Sequence, residues 1–225
     1  MYIPTTLLDI IMILVLSILA AAMIIWFFVM RRRVLKLIRN VTVDLEKYFE
    51  PVDKNYILLG YIVGYRAVYD LSNGDKLYIV LTTTPKYSLL YYLILLLTRR
   101  RDRLHLALKP YKRFVFREVH AVYEGDKRLH QKLLSDLGKR VESLGKDVIE
   151  VNEARYIVYH KSPDDLELVK GLLQESNDFI YKLSAYEYEN LVEVIADISS
   201  GNAVAVAEIL KDFSKAVTRA VPKQK

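Results

Sequence analysis

Between Ile10 and Met30 no side chain is charged, and Ser17 is the only polar one. A helix over this run, at about 1.5 Å per residue, is roughly 31 Å long and matches the hydrocarbon core of a bilayer. A core helix of a soluble protein is rarely apolar on every face for so long, because one face meets water. The run therefore reads as a transmembrane helix over residues 10–30, with Trp26, Phe27 and Phe28 at one interface. A cleaved signal peptide is the competing reading, and it requires a basic n-region and a short apolar core. No Lys or Arg precedes Met30, and the apolar run continues for eight residues beyond Ala22. An uncleaved signal-anchor fits better.

The two flanks of the run differ sharply. The tail over residues 1–9 carries Asp9 and no basic side chain, whereas Arg31, Arg32, Arg33, Lys36 and Arg39 follow the run. Positive-inside bias places the basic flank in the cytoplasm and the short tail outside the cell membrane. Residues 31–50 continue as a juxtamembrane helix, with Val34, Leu37, Ile38, Val41, Leu45 and Phe49 at three- and four-residue steps, until Pro51 stops it. That stripe packs on the following domain or pairs with a second copy. Residues 51–225 form a cytoplasmic domain. The chain has no cysteine, which excludes disulfides, a thiol nucleophile and Cys-based zinc or iron–sulfur sites. Seventeen tyrosines alongside many Lys, Glu and Arg residues match the composition of hyperthermophile proteins.

The expected fold class is α+β: the membrane helix, then two β-hairpins with helices, then a smaller β-α-β half beginning near residue 146. Tyr56–Leu71 and Lys76–Thr83 read as one hairpin around Ser72-Asn73-Gly74-Asp75, since Asn-Gly suits a type I′ turn. Gly60 and Gly64 mark a bulge in the first strand. Arg103–Lys109 places Leu104, Leu106 and Leu108 on one face and Arg103, His105 and Lys109 on the other, and is expected to pair with the returning stretch Arg113–Gly125 through a turn at Pro110-Tyr111-Lys112. A helix is expected over Asp126–Leu144, capped by Gly145. Ser162 and Pro163 open another helix, followed by a strand over Asn177–Ala185. Two closing helices are expected, over Tyr186–Ile198 and Asn202–Val221.

Lys86–Arg101 admits three placements. A second span needs about 20 apolar residues, and Leu89–Leu97 is about half of that. Such a span also puts Arg99–Arg103 on the opposite side from Arg31–Arg33, against the charge rule. A helix buried in the domain and a helix lying in the membrane interface remain. Between Lys86 and His120 there are nine basic and two acidic residues; from Ala121 onward there are 15 basic and 18 acidic. Positive charge concentrated in this block favours the interface, where it meets anionic headgroups. The residues expected to face the membrane are Arg31, Arg32, Arg33, Lys36, Arg39, Tyr91, Tyr92, Arg99, Arg100, Arg101 and Arg103.

No P-loop, dinucleotide, zincin or α/β-hydrolase signature occurs. If the second hairpin pairs as expected, His105 and His120 lie on adjacent strands and, with Glu118 or Asp102, make a polar site for a metal or for acid–base work. Two exposed strand histidines are the simpler reading. His160 stands alone at a strand end, and Asp164, Asp165 and Glu167 are explained by a first helical turn. No catalytic, cofactor-binding or metal-binding residue is therefore assigned. The basic runs Arg99–Arg103 and Lys109–Arg113, near Tyr111 and Phe114, carry a nucleic-acid alternative.

The reading of the sequence is a single-pass membrane protein whose partners are the bilayer, through anionic headgroups, and a protein. Its role is that of a non-catalytic accessory or scaffold, with the acidic last third and its tyrosines as the docking face. The alternatives are a membrane-tethered metal-dependent hydrolase using the hairpin histidines and a membrane-attached nucleic-acid binder.

Overall fold

A computed structural model describes residues 7–98, 101–111, 115–176 and 179–219. The chain opens with one unbroken helix, α1 (Leu7–Phe49), which includes both the apolar run and the juxtamembrane stripe. Its apolar part touches little of the domain, and Ile10–Leu16 are all about half exposed or more. Its second half is amphipathic in use: Val34, Val41 and Leu45 are buried, and the stripe packs on the domain. This helix is apolar and long enough to cross a membrane.

The remaining elements in order are β1 (Asp53–Gly60), β2 (Gly64–Asp70), β3 (Lys76–Thr82), α2 (Leu89–Thr98), β4 (Arg103–Lys109), β5 (Val115–Phe116), β6 (Val119–Tyr123) and α3 (Lys127–Leu137). A 3-10 turn follows over Gly138–Ser143. Then come β7 (Gly145–Val151), β8 (Ala154–His160), α4 (Pro163–Glu175), β9 (Ile180–Tyr186), β10 (Leu191–Asp197), α5 (Ala203–Val217) and β11 (Thr218–Arg219). Nine strands form one antiparallel sheet in the order β1-β2-β3-β4-β10-β9-β6-β8-β7. One face of the sheet is covered by the second half of α1 together with α4 and α5, whose Val206, Leu210 and Phe213 sit in the main core. The other face is covered in its middle by α3, through Leu129, Leu133 and Leu137.

Several expectations are corrected here. The first strand is two strands, because the chain turns back at residues 61–63 and Gly60 pairs with Gly64. Gly64 is obligatory at that turn: its φ is +130°, and a Cβ there would stand 1.9 Å from the Leu81 carbonyl oxygen. The Asn-Gly hairpin forms, but only Gly74 of the two takes positive φ, and the Gly74 N–H donates to the Leu71 carbonyl at 2.9 Å. This is a type I turn followed by a left-handed glycine, not a type I′ turn. The true two-residue turn with both φ positive lies at Asn152-Glu153.

The second hairpin does not form. β4 pairs with β3 and β10, while β6 pairs with β8 and β9. The helix expected over Tyr186–Ile198 is instead β10, the centre of the sheet. Leu191–Asp197 is buried on both faces along almost its whole length, Glu193 and Asp197 included, which a central strand satisfies and a surface helix does not. Because β9 and β10 insert between β4 and β6, the half beginning near residue 146 is not a separate layer. α3 ends earlier than expected, at Gly138 with φ +54°, and Gly145 begins β7. The helix at Ser162 forms as expected, and its Ser162 N–H donates to Asp165 Oδ2 at 3.1 Å.

Candidate membrane-facing site

From Arg31 to Phe49 α1 advances roughly 27 Å at about 1.5 Å per residue. The eight residues of β1 return roughly 26 Å at about 3.3 Å each. The β1–β2 turn therefore comes back to the level of Arg31. There the Arg31 Nη2 donates to Tyr61 Oη at 3.1 Å, and its guanidinium lies 5.0 Å from the Tyr61 ring centre. α2 docks slightly further along the apolar run. The Trp26 indole N–H donates to the Lys86 carbonyl at 3.0 Å, the Trp26 and Tyr92 rings are 5.1 Å apart, and Tyr87 stands edge-on to Phe27.

Both elements leave apolar side chains uncovered at this level. In α2, Leu93 is 56%, Ile94 49% and Leu97 85% exposed, while Leu95 is buried. The helix is therefore not buried inside the domain. At the turn, Leu58 is 74%, Tyr61 66% and Val63 43% exposed. A strand pattern with apolar residues at both parities reads as a buried strand, and that is why the sequence did not single out Ile57, Leu58, Tyr61 and Val63. β1 is instead an edge strand with an uncovered face.

α2 is held at its root by Asp102, which is 1% exposed. Its Oδ1 accepts from the Thr84 N–H at 2.7 Å and the Thr84 hydroxyl at 2.8 Å, and its Oδ2 pairs with Lys86 Nζ at 2.7 Å. Asp102 is thus a structural pin across the two ends of the α2 segment.

Of the residues expected to face the membrane, Arg32, Arg33, Lys36 and Arg39 are exposed on α1, and Tyr91 and Tyr92 are half-buried on α2. Arg99 and Arg100 lie outside the described residues. Arg101 pairs with Asp197 at 2.9 Å, and Arg103 pairs with Asp126 at 2.7 Å. These two line a cleft of about 1050 Å³ between the end of α2 and the start of α3, together with Lys127, Arg128, Lys132, Phe179 and Tyr181. The Arg103 guanidinium lies 4.2 Å over the Tyr181 ring. Nothing in the sequence spacing links α3 to Arg101; the sheet order brings them together.

The histidines meet different fates. His105 on β4 and His120 on β6 are separated by β10 and β9, so they do not lie on adjacent strands as expected. His105 Nε2 is 2.9 Å from Glu193 Oε1, and the other oxygen of that carboxylate is 3.0 Å from Lys182 Nζ. Lys182 is 1% exposed and also donates to Tyr186 Oη at 2.8 Å. Burial pushes the Glu193 carboxyl up, but the His105 hydrogen bond and the Lys182 charge outweigh it and hold the group down to about 2. His120 is fully buried, 3.8 Å from Glu118 Oε1, and burial lowers its pKa. Glu118 accepts from Arg140 at 3.0 Å, and its pKa is lowered, first by His120 and then by Arg140 and Lys161.

His130 Nε2 is 2.9 Å from Tyr159 Oη, and His160 Nε2 is 2.7 Å from Asp147. Asp165 is buried against Arg117 at 3.2 Å, while Asp164 and Glu167 are exposed on α4. Among the described residues no group of three His, Asp or Glu is placed to hold a metal. The two basic runs are also apart. Arg103 begins β4 and Lys109 ends it, a separation of about 20 Å at about 3.3 Å per residue. Lys112, Arg113 and Phe114 lie outside the described residues. The tyrosines expected to dress the last third are mostly interior: Tyr156, Tyr159, Tyr181 and Tyr186 are buried and Tyr188 is exposed.

No protein-family model matches the chain, and no curated protein matches it.

Proposed function

We propose that this chain is a single-pass membrane protein, short tail outside and domain in the cytoplasm, whose sheet domain rests on the inner face of the bilayer. Its role is non-catalytic: a tether that holds a docking surface for a protein partner close to the membrane. One observation carries the membrane part of this reading. α2 and the β1–β2 turn reach the same end of the apolar run and leave Leu58, Tyr61, Leu93, Ile94 and Leu97 uncovered beside it. Apolar groups exposed at the cytoplasmic end of a spanning helix are removed from water by the headgroup–acyl boundary. The basic flank of α1 supports the orientation. The docking role rests on charge, since the residues after Ala121 carry more acid than base and lie beyond the basic membrane-facing block.

Single cysteines test the orientation cleanly because the chain has none of its own. A cysteine at Glu175 on α4 is expected to react with an impermeant maleimide in inside-out vesicles and not in intact cells. Labelling in intact cells would overturn the orientation.

A further inference from the structure

The cleft between α2 and α3 has a charge pattern that the fold alone does not require. Five cationic side chains line it against the single carboxylate of Asp126. That carboxylate is already committed, accepting from the Leu129 N–H at 3.0 Å as the helix cap and pairing with Arg103. Lys127 and Arg128 occupy the first turn of α3, and no acidic residue stands there. Cations at that end add to the positive pole of the helix instead of opposing it. Lys127, Arg128 and Lys132 are exposed and form no ion pair with any described residue. Phe179 and Tyr181 supply an apolar wall beneath the charges, with Arg103 flattened on Tyr181.

Thr98, the last residue of α2, also lines the cleft, so it opens at the far end of the helix that rests on the bilayer. We propose that this cleft binds a phosphate group, presented by an anionic phospholipid headgroup or by a free phosphate monoester. Lys127, Arg128 and Lys132 supply the charge, and Arg101 and Arg103 stay fixed by Asp197 and Asp126 to shape the pocket. A phosphate accepts several charge-assisted hydrogen bonds at once, and three cations without an ion-pair partner among the described residues line this one cleft. The lipid source rests on the membrane-resting reading above; the phosphate chemistry does not.

The test uses the full chain in nanodiscs and reads the thermal midpoint of unfolding. The discs are zwitterionic, zwitterionic with phosphatidic acid, or zwitterionic with glycerol 3-phosphate in the buffer. Binding to the folded state raises the midpoint. The expected result is a rise of several degrees with phosphatidic acid, abolished by Lys127→Gln/Arg128→Gln/Lys132→Gln. The same rise is expected in a control variant that loses equal charge elsewhere, Lys139→Gln/Lys170→Gln/Lys211→Gln. A rise with glycerol 3-phosphate alone, lost in the cleft variant, supports the site and identifies the ligand as a free phosphate. No rise in either arm, or a rise that survives in the cleft variant, overturns the proposal. A nitroxide at Leu97 in the zwitterionic discs reports the membrane contact separately. If it stays in lipid while the phosphate response is missing, only the cleft assignment fails; if it sits in water, the membrane-resting reading fails.

Discussion

Changing Glu193→Met strands one of the most deeply buried charges in the domain. Lys182 keeps only the Tyr186 hydroxyl at 2.8 Å among the described residues, in a position that is 1% exposed. Breaking a buried pair from one side costs about 3–5 kcal/mol, because the remaining charge is left uncompensated. The depressed pKa of Glu193, held down by His105 as well as by Lys182, points the same way. For a domain of this size about 2–4 °C is lost per kcal/mol, so the midpoint falls by on the order of 10 °C. The assay is thermal unfolding of the full chain in detergent micelles at neutral pH, followed by circular dichroism. The double variant Lys182→Met/Glu193→Met removes both charges and is expected to recover most of the loss, since a well-packed apolar pair replaces a buried ion pair at little cost. A single variant that loses less than about 2 °C, or a double variant that falls as far as the single, would refute the claim that Lys182 is fully desolvated.

Acid weakens the fold in two stages. His120 has a lowered folded pKa, so its contribution is lost as pH falls below 6.5. Glu193 is also depressed, and its contribution is present above 4.5 and is lost as pH falls toward about 2. A midpoint measured against pH is expected to decline across both ranges, and His120→Gln flattens the upper one. Asp102→Asn releases Lys86 and loosens the α2 segment; hydrogen exchange over residues 84–98 is expected to speed up at least tenfold while the central strands keep their protection. Gly64→Ala forces a side chain against the Leu81 carbonyl at positive φ and is expected to cost more than about 2 kcal/mol in denaturant unfolding.

The sequence displays some of this architecture openly and hides the rest for physical reasons. The apolar run, the amphipathic stripe of α1 and the capped helix at Ser162 depend on local patterns, so each is legible from spacing and composition. Strand pairing depends on partners far along the chain. Arg103–Lys109 carries a clear alternation, yet nothing in it says that its neighbours are β3 and β10 rather than the strand that follows. The same distance hides the Lys182–Glu193–His105 network, whose members come from β9, β10 and β4. β10 is not legible by period, because Leu191–Asp197 is buried on both faces and shows no clean strand alternation. In the cleft, Arg101 and Arg103 stand out in a basic run, whereas Lys127, Arg128 and Lys132 resemble an ordinary solvated helix face until the sheet order brings α3 beside α2.

In the proposed arrangement the domain rests on the bilayer through α2 and the β1–β2 turn. The most direct measurement places a nitroxide on a single cysteine at Leu58, Tyr61, Leu97 or Val148 in the full chain, reconstituted in a bilayer. Collision rates with oxygen and with a water-soluble nickel complex then report depth. The probes at Leu58, Tyr61 and Leu97 are expected to favour oxygen and lie at the headgroup–acyl boundary, while the probe at Val148, half exposed on the outer strand β7, favours the nickel complex. Nickel-accessible probes at all four positions would contradict it.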